Sequence, residues 1–148
     1  GFLTAVNALK LSLLLVPDRI DPAILRRHKS SNIRVVEVRQ SMKSVTRDAD
    51  LIVCNGNHGT AAAAMLGGVP SLSFPLHQEQ EACARRVASS SLGAMLPVKD
   101  GKAIPPLLET MLRSRAMQES CGKAASRYQG FDYQDSVNRM VREIGALL

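Results

Sequence analysis

The sequence predicts an α/β fold of the doubly wound type, in which helices cover both faces of a parallel sheet. Short apolar or β-branched runs alternate with helical segments in the first part of the chain, and no strand signal follows Ile104. A continuous apolar run such as 11–16 (LSLLLV) is typical of a strand buried on both faces. By these criteria strands are predicted at 11–16, 32–38, 51–54, 69–74 and 94–97.

Capping residues and apolar spacing predict the helices between and after these strands. Asp21-Pro22 is typical of a cap followed by proline in the first turn, and it begins a helix that runs to about residue 28. Gly67-Gly68 ends an alanine-rich helix over 59–66. After residue 104, apolar residues recur at spacings of three and four, as helices require. The remaining predicted helices are 3–9, 41–48, 78–89, 105–115, 118–128 and 133–148.

The sequence predicts one domain over residues 1–148, because it contains no internal repeat and no linker long enough to divide the chain. A doubly wound domain normally begins with a strand, whereas residues 3–9 look helical. We therefore expect the first strand and its loop to lie upstream of residue 1.

Composition excludes several functional classes. With 45% hydrophobic and 22% charged residues the chain can form a packed core, and no apolar run is long enough for a transmembrane segment. Nineteen basic against thirteen acidic residues give a net charge of +6, which suits a phosphate or nucleic-acid ligand. Three Phe, two Tyr and no Trp disfavour nucleic acid, whose bases stack on aromatic rings.

The three cysteines, Cys54, Cys83 and Cys121, are widely spaced and form no CxxC pair. This spacing supports neither a zinc site nor a disulfide framework, so no metal is expected. Three reduced thiols are typical of a cytoplasmic protein.

Residues 50–80 carry the clearest functional signal. A strand ends at Cys54, a polar turn with Gly56 follows, and a helix is predicted to begin at Gly59-Thr60. Amides at a helix start are unpaired and lie at the positive end of the helix dipole, and glycine lets a ligand approach the backbone. The pattern predicts a phosphate site at the carboxyl end of a strand. In the alternative, the glycines only make a tight turn and Thr60 only caps the helix.

Several short motifs in this region resemble one known signature. They are the strand 49–53 (ADLIV), the turn 55–60 (NGNHGT), Gly68-Val69-Pro70, Pro75-Leu76 before Glu79-Gln80, and upstream Val38-Arg39-Gln40. Over residues 32–98 the chain resembles the donor-binding domain of nucleotide-sugar glycosyltransferases with the GT-B fold. The similar branch includes UDP-glycosyltransferases and lipid-linked N-acetylglucosamine transferases.

The resemblance implies a Rossmann-like C-terminal half of a two-domain enzyme that binds a UDP- or TDP-sugar. Val38 (through its backbone) and Gln40 would hold the base, and Glu79 and Gln80 would bind the donor sugar. The residues implied to receive the diphosphate are Asn55, Gly56, Asn57, His58, Gly59 and Thr60. The catalytic base would come from an N-terminal acceptor-binding domain, in the same chain or in a partner chain. No metal or other cofactor is implied, and the fragment alone is expected to bind donor weakly and transfer nothing.

Some positions depart from the family pattern. The family usually has His at position 55, Gly at 57, Glu at 63 and Pro at 39, where this chain has Asn, Asn, Ala and Arg. These departures keep two alternatives open: a non-catalytic scaffold relative, and a nucleotide-sugar epimerase or hydrolase on the same fold.

Two histidines and one basic run can each be interpreted in two ways. His58 and His77 fit either a donor contact or an exposed loop, and the basic run 26–29 (RRHK) fits a solvated helix end or an anionic ligand. Residues 49–80 contain no Lys or Arg, so attraction for phosphate there must come from backbone amides.

Overall fold

The computed structural model describes residues 1–18, 20–38, 40–97 and 99–147. Five strands alternate with helices, which confirms the predicted α/β class. The strands are β1 Leu13–Leu15, β2 Ile33–Val35, β3 Ile52–Cys54, β4 Ser71–Ser73 and β5 Gly93–Met95. The α-helices are α1 Phe2–Ala8, α2 Pro22–Arg27, α3 Met42–Asp48, α4 His58–Leu66, α5 Gln78–Ser89, α6 Ile104–Arg113, α7 Arg115–Arg127 and α8 Tyr133–Gly145, with a 3-10 turn at Gly101–Ala103.

The strands form two parallel ladders rather than one continuous sheet in the described part of the chain. One ladder joins β1 to β2, with Leu14 opposite Arg34. The other has the order β3-β4-β5, with Leu72 of β4 opposite Val53 and Ala94. Each strand is three residues long and shorter than predicted, and β5 begins at Gly93, one residue before its predicted start.

Apolar burial is concentrated on the three-stranded ladder. Leu72 is fully buried, and it packs in a cluster with Ala5 of α1, Leu96, and Leu108 and Met111 of α6. Ser71 and Ser73, which alternate with Leu72 along β4, are also buried. Both faces of β4 are therefore covered. The turns that follow β3 and β4 are thus attached to the buried three-stranded ladder.

Helices α4 and α5 bring two of the sequence motifs together. Each follows a strand of the three-stranded ladder directly, so both begin at its carboxyl edge, and they contact each other. At the other end of α4, a Cβ on Gly67 would lie only 2.3 Å from Cβ of Thr46, which shows how closely α3 packs there. Because α4 and α5 begin at the same edge and contact each other, the turn 55–60 lies close to the Glu79-Gln80 pair.

Of the C-terminal helices, α6 and α7 begin earlier than predicted, and α8 begins at Tyr133 as predicted. The side chain of Ser114 accepts a hydrogen bond from the Met117 amide at 3.2 Å, so α7 begins at Arg115 rather than at 118. Asp132 caps α8 in the same way, through the Gln134 amide at 2.7 Å. Along α8, Met140, Val141 and Ile144 are more than half exposed. No helix among the described residues is long and apolar enough to cross a lipid bilayer.

Candidate functional site

The turn after β3 is held by its own polar groups and packs on the start of α5. The Gly56 amide donates to Sγ of Cys54 at 3.3 Å, and the Asn57 amide donates to Oδ1 of Asn55 at 3.2 Å. Gly56 has φ +84°, and a Cβ there would lie 2.9 Å from the carbonyl oxygen of Gln80. Only glycine fits this backbone conformation and this contact without strain.

Helix α4 begins at His58, one residue earlier than predicted, and Asn57 is its cap. Oδ1 of Asn57 accepts a hydrogen bond from the Thr60 amide at 2.8 Å, so the alternative in which Thr60 caps the helix is wrong. The Thr60 amide is therefore not free for a ligand. In the described structure the amides of His58 and Gly59 have no hydrogen-bond partner. Two free donors lie at the positive end of this nine-residue helix.

A cavity of about 170 Å³ lies between the starts of α4 and α5. Its lining residues are Gly56, Asn57, His58, His77, Glu79 and Gln80. Five of these six were implied by the resemblance; His77, which the sequence left open, is the addition. The structure thus brings together the implied diphosphate turn and the implied sugar-binding pair.

Gln80 and Glu79 present complementary groups to this cavity. Gln80 is buried, and its Oε1 accepts a hydrogen bond from the Leu76 amide at 2.8 Å. Its Nε2 makes no hydrogen bond to the described residues, so it remains a donor for a ligand. Glu79 is exposed and forms no ion pair within the described ranges, whereas Glu81 pairs with Arg85 along α5. The residues that line the cavity therefore include one carboxylate, on Glu79, and one amide with an unused donor, on Gln80.

The implied base-binding residues lie apart from this cavity. Val38 and Gln40 follow β2, in the two-stranded ladder, and neither lines the cavity. Val38 is 70% exposed, and Nε2 of Gln40 donates to the Val38 carbonyl oxygen at 2.9 Å. Arg39, between them, lies outside the described residues. A base bound there would have to displace that internal hydrogen bond.

Free backbone amides lie at the small cavity, whose lining carries few charged side chains. None of its lining residues is Lys or Arg, and Glu79 is its one carboxylate. A larger cavity of about 380 Å³ continues between α4 and α5, shares His58 and Glu79, and includes Arg86. No group of three or more His, Cys, Asp or Glu in the described ranges is placed to hold a metal ion.

The cap at Asn57 gives a first test of the local structure. Asn57→Ala is expected to lower the free energy of unfolding by about 1 kcal/mol, because the Thr60 amide loses its partner. Asn57→Asp keeps the cap acceptor and should retain stability, while its added charge repels an anionic ligand. Urea denaturation measures both variants. Equal stability of Asn57→Ala and the parent chain would contradict the cap.

The cysteines differ enough in environment to be separated by alkylation. Burial raises the pKa of the Cys121 thiol, and burial together with the nearby Cys54 raises the pKa of Cys83. Cys54 is only partly buried. Because the thiolate is the reactive form, iodoacetamide is expected to modify Cys54 first in the native chain and all three cysteines after denaturation. Peptide mass spectrometry measures the order of modification. Equal alkylation rates of the three cysteines in the native chain would contradict the described burial of Cys83 and Cys121.

Comparisons with known proteins identify the family of the chain. The family model described as "Glycosyltransferase family 28 C-terminal domain" matches residues 17–140. Among curated proteins, none matches the chain significantly.

Several solved glycosyltransferases have a similar structure. VinC in complex with dTDP has a TM-score of 0.79 at 18% identity over 95% of this chain and 36% of its own. The spinosyn rhamnosyltransferase SpnG has a TM-score of 0.76 at 21% identity over 95% of this chain and 39% of its own. SnogD from Streptomyces nogalater has a TM-score of 0.71 at 19% identity over 84% of this chain and 33% of its own.

These likenesses concern the fold, and the chain spans about a third of the length of each of these structures. The family match covers most of the chain and includes the turn, the cap and the Glu79-Gln80 pair. The chain belongs to the family of glycosyltransferase family 28 C-terminal domains.

Proposed function

We propose that this chain is the donor-binding domain of a glycosyltransferase, and that the turn 55–60 receives the diphosphate of a nucleotide sugar. One observation carries the proposal: the free amides of His58 and Gly59 lie at the start of α4, where His58 and Glu79 line one cavity. A helix start with free amides is suited to a phosphate group.

The proposed chemistry is transfer of the sugar from the donor to an acceptor hydroxyl. The bond between the anomeric carbon and the diphosphate oxygen breaks, and its electron pair leaves with the nucleoside diphosphate. The amides of His58 and Gly59 and the dipole of α4 stabilise this developing negative charge without a metal ion. The base that takes the acceptor proton belongs to the acceptor-binding half of the enzyme.

Glu79 and Gln80 orient the donor sugar in this proposal. The Glu79 carboxylate accepts a hydrogen bond from one sugar hydroxyl, and Nε2 of Gln80 donates to another. His77 lines the same cavity. The cavity of about 170 Å³ is below the usual size of a whole ligand pocket, so it takes one part of the donor.

The nucleotide is proposed to be uridine diphosphate, with thymidine diphosphate as the second choice. Val38 and Gln40 are proposed to hold the pyrimidine, with Gln40 turning away from the Val38 carbonyl oxygen when the base binds. VinC, one of the similar structures, was solved in complex with dTDP, which supports a pyrimidine nucleotide.

The proposed partner is an N-terminal acceptor-binding domain, in the same chain or in trans. This chain covers only 33–39% of the similar structures described above, which leaves room for such a domain in the whole enzyme. The proposed compartment is the cytoplasm, because all three cysteines are free thiols.

Titration calorimetry with UDP and TDP tests the proposal. We expect weak, saturable binding of at least one nucleotide, and a preference for UDP. A sugar-transfer assay with the chain alone should show no turnover, because the acceptor base is elsewhere. No binding of either nucleotide at millimolar concentration would contradict the proposal, and turnover by the fragment alone would contradict the assignment of the base.

A second candidate is a non-catalytic relative that keeps the fold and has lost donor binding. Ala63 in α4 favours it, because a methyl group cannot bind ribose hydroxyls as the family's usual Glu does. Asn55 favours it too, since its Oδ1 is used by Asn57 within the turn. An epimerase or hydrolase remains the third candidate. The calorimetric titration separates the scaffold, which binds neither nucleotide, from the two enzymes.

A further inference from the structure

The larger cavity between α4 and α5 has a volume of about 380 Å³, more than twice that of the small cavity at the helix starts. Its lining residues recur at spacings of three and four along both helices, so one face of each helix borders it. Ala61 and Ala62 of α4 and Ala82 of α5 lie on these faces. Because alanine carries only a methyl group, the space between the two helices stays unfilled.

Burial divides this cavity into an inner floor and an outer rim. At the floor, Ala61, Ser71 and Cys83 are buried. At the rim, the side chains of Glu79 and Arg86 are exposed. Charged groups therefore surround only the entrance, and the polar side-chain groups at the floor are one hydroxyl and one thiol.

Ser71 places an unused hydroxyl at this floor. The residue is 1% exposed, and its hydroxyl makes no hydrogen bond to the described residues. By contrast, the hydroxyl of Ser73, two residues further along β4, contacts Sγ of Cys54 at 3.7 Å. Every fully enclosed side-chain nitrogen or oxygen in the described structure has a hydrogen-bond partner. The unpartnered Ser71 oxygen must therefore touch the open space of the cavity that it lines.

Water is a poor partner for this hydroxyl. A water molecule held inside a protein needs about two to four polar partners. The floor offers it the Ser71 hydroxyl and the Cys83 thiol, and a thiol is a weak hydrogen-bond donor. The half-buried walls are the apolar side chains of Met65, Val87 and Leu92. A molecule with one polar atom and an apolar body fits these groups better, because it pairs with the hydroxyl and covers the walls.

We propose that this cavity is a second binding site, for a neutral aliphatic molecule whose single hydroxyl or carbonyl group bonds to the Ser71 hydroxyl. The buried, unpartnered hydroxyl and the apolar walls around it carry this inference. The ligand is uncharged, because the floor holds no group that would pair with a buried charge. The volume of about 380 Å³ is near the lower end for small-molecule sites, which suits a chain of moderate length. Ser71 and Cys83 do not line the small cavity, so the site is distinct from the proposed donor site.

Amide-resolved NMR titration of the 148-residue chain with n-hexanol tests the site. Hexanoate is the matched control, since it has the same chain length and a charged head group. We expect hexanol to cause saturable shifts at Ser71, Cys83 and Leu92, and hexanoate to bind at least about tenfold more weakly. Gly56 and Gln80, which line only the small cavity, should shift less. No saturable shift at the first three residues, equal affinity for hexanoate, or largest shifts at Gly56 and Gln80 would overturn the proposal.

Two variants separate the hydroxyl from the space around it. Ser71→Ala removes no hydrogen bond of the described structure, so the melting temperature should not fall, while affinity for hexanol should fall about fivefold. Ala82→Leu narrows the entrance and should also weaken hexanol binding, whereas Ser89→Leu, on the same helix but outside the cavity lining, should not. Unchanged affinity in Ser71→Ala, or an equal loss in Ala82→Leu and Ser89→Leu, would contradict the site. These readouts involve no nucleotide, so their failure is distinct from failure of the proposed function.

Discussion

Replacing Gly56 with alanine is expected to lower the free energy of unfolding by about 2–4 kcal/mol and to remove nucleotide binding. The residue has φ +84°, which costs an L-amino acid strain, and the new Cβ would lie 2.9 Å from the Gln80 carbonyl oxygen. Relief of that contact moves the turn away from α5 and opens the cavity between them. Urea denaturation and calorimetry with UDP measure the two effects.

Gly122→Ala is the matched control, because Gly122 lies inside α7 and a Cβ there meets nothing within 4 Å. Alanine should stabilise that helix by up to about 1 kcal/mol and leave UDP binding unchanged. Gly59→Ala, in the first turn of α4, should also fold normally, since the nearest atom to its Cβ is 3.8 Å away. Equal stability of Gly56→Ala and Gly122→Ala would contradict the described turn.

Gln80 is the second position at which a large effect is expected. Gln80→Leu leaves the Leu76 amide without its acceptor, and we expect a loss of about 1 kcal/mol of unfolding free energy. Affinity for a UDP-sugar should fall as well, because the turn 75–77 and the donor amide are both lost. Thermal unfolding and calorimetry with UDP and with a UDP-sugar separate the two losses.

Gln80→Glu separates the structural role of this residue from its binding role. Glutamate keeps the acceptor for the Leu76 amide and removes the Nε2 donor, so affinity for the UDP-sugar should fall more than affinity for UDP. An equal loss of affinity for UDP and for the UDP-sugar would contradict a contact between Gln80 and the sugar.

Much of the fold could be predicted because local signals and packing agree. The Asp21 cap is confirmed, since its Oδ1 accepts from the Ala23 amide at 2.8 Å, and Gly67 ends α4 as expected. The start of α4 was placed one residue late, because Asn, His, Gly and Thr in a row give several competing cap positions. The two-ladder arrangement could not be predicted from apolar runs, which show that a strand exists but not which neighbour it pairs with.

The site could be predicted only in part. Resemblance to a known signature selected Gly56, Asn57, His58, Glu79 and Gln80, and the structure gathers these around one cavity. That the Asn57 side chain is used by the Thr60 amide, and the Gln80 oxygen by Leu76, depends on tertiary geometry. His77 could have been found from its position, because a residue directly before α5 lies at the same sheet edge as the turn.

Net charge was a poor guide to the site. The chain has a formal charge of +6, but the small cavity is lined by no Lys or Arg and by one carboxylate. In the proposed site, fixed backbone dipoles supply the attraction instead, and they are set by where α4 begins rather than by composition.

An amide-resolved NMR titration with UDP tests the central claim most directly. If the start of α4 binds the diphosphate, the His58 and Gly59 amides should show the largest saturable shifts, because they are the free donors there. Largest shifts in the basic run 26–29, or no saturable shift at His58 and Gly59 at millimolar UDP, would contradict the claim.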